Sequence, residues 1–242
     1  MNGMIFAAGL GTRLKPLTNN IPKALVEFNG LPLLQYVIEE MRLVGIKRIV
    51  INIHHFPEKI KKFLATYDSG DAEILISDET EKLLDTGGGL LKASHLFHKD
   101  QSVLICNVDI FSEIDLEDLI KYHNTKQNYA TLVVQKPSEG RVFCFGEDNY
   151  LKGWKNTITG EVRGLLSELD KTNEKGFCGV QILSPDFINN ISLKGKFSII
   201  DEYLLQLKSH NIAKYDYYGT FIDLGTPARL KEAESIIEKK IS

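Results

Sequence analysis

The chain has 242 residues, 43% hydrophobic and 25% charged, and its 29 Lys and Arg against 32 Asp and Glu leave a formal charge of −3. These are ordinary values for a globular protein, and a charge so near neutral excludes a protein whose task is to coat nucleic acid. No apolar run approaches the roughly 18 residues of a membrane span, and Cys106, Cys144 and Cys178 are too scattered for a zinc ribbon or a disulfide framework.

The N-terminal stretch Met1–Ala8 has no basic region ahead of its apolar run and meets Gly9 at once. It does not read as a secretion signal, and a cytoplasmic location is expected. Met4–Ala8 reads as a strand followed by a glycine-containing loop. Pro32 opens a helix with Leu34, Val37, Ile38, Met41 and Val44 on one face, closed by Gly45. Arg48–Ile53 is a β-branched strand, Pro57 opens a second helix carrying Ile60, Phe63, Leu64 and Tyr67, and Glu73–Ile76 is a strand. A helix is predicted over Leu90–Phe97, a strand over Ser102–Cys106, a helix over Leu116–His123 capped by Asp115, and a strand over Thr131–Gln135. Apolar strands joined by helices indicate a parallel sheet in a doubly wound α/β layer.

After Pro137 the pattern turns antiparallel. Arg141–Phe145 and Tyr150–Trp154 read as a strand pair turning at Glu147–Asn149. Phe177–Leu183 is a further strand, and Ile199–Ser209 is amphipathic. Tyr215–Tyr218 and Phe221–Leu224 are short strands. Thr226-Pro227 supplies an N-cap and first-turn proline for a last helix to Ile241. No linker rich in Gly, Ser or Pro divides the chain. Residues 1–242 therefore read as one domain, whose second half (137–242) completes the first (1–136) with an antiparallel edge and a lid.

The loop Gly9-Leu10-Gly11-Thr12-Arg13-Leu14-Lys15-Pro16 falls at the carboxyl end of the first strand, where open α/β sheets bind ligands. Its glycines let backbone N–H groups approach phosphates, and Arg13 and Lys23 add cations. The Walker A string is absent, and Leu14 stands where a dinucleotide fingerprint needs a third small residue. Thr86-Gly87-Gly88-Gly89 suits a close approach to backbone, such as that of a flat base, or a flexible connector. Asp109 and Asp223 each follow an apolar strand. Facing one pocket about 4 Å apart they would repel by roughly 4 kcal/mol at an effective dielectric of 20. A divalent cation removes that penalty, and oxygen-only ligands favour Mg²⁺. His54-His55 lacks an obvious third ligand for a metal site. Cys106 and Cys178 lie in apolar strands and read as buried thiols, Trp154 as core or a stacking face, and Lys231–Lys240 as a solvated helix face.

The string Ala7–Thr18 with Pro22-Lys23-Ala24-Leu25 resembles the sugar-1-phosphate nucleotidyltransferase family. The resemblance continues through Thr86–Gly89, Asn107-Val108-Asp109, Phe177-Cys178-Gly179-Val180 and Ile222–Thr226, over nearly the whole chain. Within the family, the compact length, the Ile51–His54 region and the triple glycine are most similar to short bacterial N-acetylmuramic acid 1-phosphate uridylyltransferases of cell-wall recycling. Short mannose-1-phosphate guanylyltransferases and phosphocholine cytidylyltransferases are near neighbours.

The resemblance implies a Rossmann-like three-layer αβα fold with a mainly parallel sheet and a small antiparallel substrate-binding part. Residues 1–136 would be the nucleotide-binding half and 137–242 the sugar-binding half with the C-terminal helix. It implies Mg²⁺-dependent transfer from UTP, or another nucleoside triphosphate, to a sugar 1-phosphate, by a monomer or small homo-oligomer with no nucleic-acid or membrane partner. Ala8, Gly9, Gly11, Thr12 and Arg13 would cradle the triphosphate. Arg13 would steady the departing pyrophosphate and Lys23 would bridge the phosphates of both substrates. Glu79, Gly87 and Gly88 would lie beside the base, and Asp109 and Asp223 would hold Mg²⁺. Asn107, Gly179 and Arg141 would face the sugar. Arg141, Lys152 and Lys155 are the cations that could meet the lactyl carboxylate of N-acetylmuramic acid. Val108 departs from the glycine usual in the family and would crowd the backbone beside the nucleotide. A non-catalytic nucleotide-binding subunit is the alternative from another class, and an NAD-dependent oxidoreductase fails on the missing glycine.

Overall fold

The computed structural model describes residues 1–137 and 140–241. The chain begins with β1 (Asn2–Phe6), a short hairpin of β2 (Glu27–Phe28) and β3 (Leu31–Pro32), then α1 (Leu33–Leu43), β4 (Arg48–Ile53), α2 (Pro57–Thr66), β5 (Glu73–Asp78) and α3 (Asp85–Ala93). It continues with β6 (Val103–Asn107), β7 (Ile110–Ser112), α4 (Leu116–Lys126) and β8 (Ala130–Gln135). The antiparallel part holds β9 (Arg141–Phe145), β10 (Leu151–Asn156), β11 (Val162–Gly164) and β12 (Asn173–Leu183). The chain closes with α5 (Pro185–Asn189), α6 (Ile199–Gln206), β13 (Ile212–Asp216), β14 (Phe221–Asp223) and α7 (Pro227–Ile241).

One ten-stranded sheet runs β11-β10-β9-β12-β6-β1-β4-β5, with β8 pairing β12 and β13 alongside. The pairs β1–β4, β1–β6, β4–β5 and β8–β13 are parallel, and β12 joins β6, β8 and β9 antiparallel. Successive β1 side chains go to opposite faces, as a strand's period of two requires. Ile5 packs with Ile49, Ile51, Leu104, Ile38 and Met41 on the α1 face. Met4 packs with Val50, Ile105, Leu90, Phe187 and Tyr203 on the α3 and α6 face. These two clusters make the three-layer αβα arrangement that the sequence implies.

Three expectations shift, one of them the strand expected over Tyr215–Tyr218, which runs over Ile212–Asp216 as β13. The first strand ends at Phe6 because the Ala7 N–H leaves the ladder and donates to the Asn52 side chain at 2.7 Å. The helix expected to begin at Leu90 begins at Asp85, so the three glycines lie inside it, all buried. Trp154 is a core residue, 7% exposed. Among the described residues no helix is long and apolar enough to cross a membrane.

His123, on α4, is buried, with Nδ1 2.9 Å from the Thr131 hydroxyl, which also accepts from the Asn128 amide at 3.0 Å. Burial pushes the imidazole down to about 4 from its usual 6.5. The unfolded chain therefore binds a proton that the native state refuses. Stability contributed by neutral His123 is full above pH ~6.5 and is lost as pH falls toward ~4, by about 3 kcal/mol in all. Urea unfolding between these pH values should show this loss, and His123→Gln should flatten it.

Candidate active site

The site forms where chain order reverses across the sheet, with β4 on one side of β1 and β6 on the other. Phe6 pairs in register with both Asn52 and Asn107, so these two amides flank the carboxyl end of β1. A cavity of about 350 Å³ opens there, lined in part by Ala8, Gly9, Lys23, Asn52, Glu79, Asn107, Val108 and Asp109. That volume suits a small-molecule ligand.

The loop after β1 is shaped by Gly11, whose φ of 63° favours glycine and whose Cβ would lie 3.0 Å from both Lys23 and Thr18. Thr18 donates its hydroxyl to the Gly11 carbonyl at 2.8 Å and pins the loop. Gly9 is exposed with nothing near the place of a Cβ, which leaves this backbone open to a ligand. Ala8 and Gly9 line the cavity, whereas Gly11, the exposed Thr12 and Arg13 lie outside its wall.

The backbones of the two aspartates are brought side by side by β7 and β14. These strands pair antiparallel with Ile110 opposite Asp223, and the Leu224 N–H donates to the Asp109 carbonyl at 2.8 Å. The Asp223 carboxylate also accepts the Gly225 N–H at 2.7 Å. Each acid meets one cation of the glycine loop region. Lys23 donates to Asp109 in a nearly buried pair, while Arg13 lies 3.3 Å from Asp223 in an exposed one. Among the described residues no group of three or more His, Cys, Asp or Glu is placed to hold a metal, around His54-His55 or elsewhere. The His54 ring instead donates to the Glu79 carbonyl at 2.8 Å. Two aspartates form an oxygen-only donor set that fits Mg²⁺ with its remaining positions left to water and phosphate.

Of the three residues expected beside the base, Glu79 is the one on the cavity wall. Glu79 lines the cavity but is 0% exposed, and its two carboxylate oxygens accept from the Asn52 amide at 2.7 Å and the Leu84 N–H at 3.0 Å. Asn52 in turn accepts from Ala7. Glu79 is thus a brace joining β1, β4 and α3, with its acceptors already engaged. Gly87 and Gly88 do not line this cavity. Both donate N–H to the Phe197 carbonyl, at 3.0 and 3.2 Å. A Cβ on Gly87 would run into the Phe197 ring, one on Gly88 into the Gly195 carbonyl, and one on Gly89 would lie 2.6 Å from Glu79 Oε1. The close approach expected of the triple glycine is real, and the chain's own segment before α6 makes it.

Ala for Gly inside a helix gains about 1 kcal/mol, but at residue 88 a backbone carbonyl stands in the way. Overpacking of this kind costs about 1–3 kcal/mol. Gly88→Ala should therefore lower the melting temperature despite its better helix propensity.

Val108 is 3% exposed within the core cluster on the α1 face, and its N–H donates to the Phe6 carbonyl at 3.2 Å. The core thus accommodates its side chain. Val108→Gly should destabilise by about 2–3 kcal/mol in urea unfolding, from lost burial and a freer backbone.

On the sugar side, Gly179 (φ 69°) sits in the β12 irregularity opposite β8, and a Cβ there would lie 2.9 Å from the Asn107 amide. Asn107 and Gly179 are therefore neighbours at one sheet end. Arg141 is exposed at the start of β9, does not line the cavity and makes no ion pair among the described residues. Lys152 pairs with Asp148 and Glu168, at 2.9 and 3.1 Å, and Lys155 with Glu174 at 3.0 Å. Both are already neutralised. Sequence reasoning missed Leu83, Asp85 and Lys196, which line the cavity together with Thr86 of the triple-glycine motif, and assigned Asn52 no role there. Lys196 reaches it because its segment is held against α3, where the Phe197 N–H donates to Leu84 and the Ile199 N–H to Thr86.

A sheet with its crevice at this switch point, a glycine loop bearing cations and a pair of acids is the arrangement in which open α/β proteins bind ligands. Residues 2–145 match the family model described as Nucleotidyl transferase, and the chain belongs to that family. A mannose-1-phosphate guanyltransferase of Gibberella zeae is 31% identical over 229 residues, 94% of this chain and 61% of that protein. One of Kluyveromyces lactis is 29% identical over 94% of this chain and 62% of its own length. The chain thus spans about three fifths of the length of these relatives. Among solved structures, HddC from Yersinia pseudotuberculosis complexed with GMP-PN superposes with a TM-score of 0.75 at 20% identity, covering 98% of this chain and 99% of that one. UDP-glucose pyrophosphorylase from Acinetobacter baumanii gives 0.75 at 17%, over 96% and 91%. At these identities the structures support the fold, and the family expected from the motifs is borne out.

Proposed function

We propose that this protein transfers a nucleotidyl group from a nucleoside triphosphate to a sugar 1-phosphate. The observation that carries the reading is the Lys23–Asp109 pair on the wall of the cavity at the carboxyl ends of β1 and β6, with the Arg13–Asp223 pair outside that wall and joined to it through the Leu224 N–H on the Asp109 carbonyl. An anionic oxygen of the sugar phosphate attacks the α-phosphorus in line. The new P–O bond forms as the bond to the β-phosphate's bridging oxygen breaks, and pyrophosphate leaves. The attacking oxygen carries no proton, so no general base is required. Catalysis then rests on holding two polyanions together and offsetting their charge.

Ala8, Gly9, Gly11 and Thr12 offer backbone to the triphosphate, Arg13 steadies the departing pyrophosphate, and Lys23 lies between the phosphates of the two substrates. Asp109 and Asp223 would hold Mg²⁺, which supplies positive charge to the reacting phosphates when bound. Asn107 and Gly179 border the sugar, with Arg141 farther out.

Two substrate pairs follow from different observations. The curated relatives named as mannose-1-phosphate guanyltransferases support GTP with mannose 1-phosphate. The triple glycine and the Ile51–His54 region support UTP with N-acetylmuramic acid 1-phosphate. Glu79, with both oxygens engaged, supports neither base over the other. Incubation with each pair and Mg²⁺, followed by mass analysis of the nucleotide sugar formed, decides between them. A different productive pair keeps the reaction and replaces the substrates.

A further inference from the structure

The acids that would take a cation and the cations that would take phosphates are bound to one another. Lys23 is paired with Asp109 and Arg13 with Asp223, so these four charges already offset one another. Resting on the function proposed above, we infer that these crossed pairs couple the divalent cation to the nucleotide, so that neither binds with its full affinity until the other arrives. A cation alone must displace Lys23 and leave an ammonium without a partner. A triphosphate alone must draw Lys23 away and leave Asp109 uncompensated. When both arrive, every charge finds a new partner.

Burial decides which pair matters. The side chains of Lys23 and Asp109 are only 12% and 15% exposed, against 61% and 40% for Arg13 and Asp223. Removing one partner from a buried pair leaves a costly lone charge, whereas an exposed pair is screened by water. The Lys23–Asp109 pair therefore carries most of the coupling. The acids are also the fixed members. The Asp109 carbonyl is tied to Leu224 and the Asp223 carboxylate to Gly225. Lys23 hangs on four methylenes from a short turn (Lys23–Leu25) and is the group free to swing. With no third acidic or imidazole ligand among the described residues, the rest of the cation's shell falls to water and phosphate oxygens.

The test measures binding without turnover. Mn²⁺ binding to the full chain is followed by the electron paramagnetic resonance of the free ion, with and without UTP or GTP. Nucleotide binding is followed by calorimetry with and without metal. In the wild type each ligand should tighten the other by the same factor, within roughly 5- to 150-fold. Lys23→Gln should bind Mn²⁺ alone more tightly than wild type, and Asp109→Asn should bind nucleotide alone more tightly. Coupling in both should fall toward one, with Arg13→Gln changing it less. A merely structural role would weaken binding in both variants, and thermal melts establish that they are folded. Nucleotide binding that ignores the metal, or Lys23→Gln with no gain in Mn²⁺ affinity, overturns the coupling while leaving the proposed function standing. No binding of either nucleotide by folded wild type, with or without metal, overturns the proposed function and the coupling with it.

Discussion

Lys23→Ala lowers kcat by about 10²–10³-fold, the usual effect of removing one aligned electrostatic stabiliser. Lys23 is a cation that both lines the cavity and touches an acid of the site. In the reaction proposed here two polyanions must come within bonding distance, and an ammonium between them offsets their repulsion most at the transition state. The loss should therefore appear in kcat more than in KM. Steady-state pyrophosphate release at saturating substrates measures it, with a thermal melt to show that the variant folds. Arg13→Ala should act in the same direction, but its 61% exposed side chain works in screened surroundings and should cost less.

Asp109→Ala removes Mg²⁺-dependent turnover, by at least about 10²-fold, because charge on the transferring phosphate then loses its anchored counter-ion. The change also leaves Lys23 without its partner in a nearly buried position. Raising Mg²⁺ should restore little activity. Asp223→Ala should retain more, since its carboxylate is 40% exposed and water can take its place. A Mg²⁺ titration of each variant separates the two. Full Mg²⁺-dependent turnover in Asp109→Ala would show the metal assignment to be wrong.

The parts of this molecule that could be read from residue order are those governed by short-range rules. Arg48–Ile53 forms β4 as its β-branched run demands, and Asp115 accepts the Asp118 N–H at 2.9 Å as the cap of α4. Asp109 could be marked because it follows an apolar strand at the edge where α/β sheets bind ligands, and Asp223 because it lies between an apolar run and a capped helix. Their partners could not be marked, since the pairing of β7 with β14 joins distant segments.

The triple glycine misleads for a related reason. Helix propensity disfavours three glycines in α3, yet the tight seat against Phe197 and Gly195 outweighs it. Glu79 reads as a free acceptor until Asn52 and Leu84 are brought to it. Lys196 carries no local signal. It enters the cavity only because residues 197–199 are hydrogen-bonded to the start of α3.

The central claim is nucleotidyl transfer to a sugar phosphate, and the most direct measurement is pyrophosphate release that depends on the acceptor. The full chain with Mg²⁺ is given UTP, GTP, CTP or dTTP, each with and without N-acetylmuramic acid, N-acetylglucosamine, glucose or mannose 1-phosphate. The account predicts pyrophosphate from at least one pair, one equivalent for each nucleotide sugar formed and none without the sugar phosphate. Folded protein that binds a nucleotide yet releases no pyrophosphate with any acceptor would contradict it and mark the chain as a binding subunit.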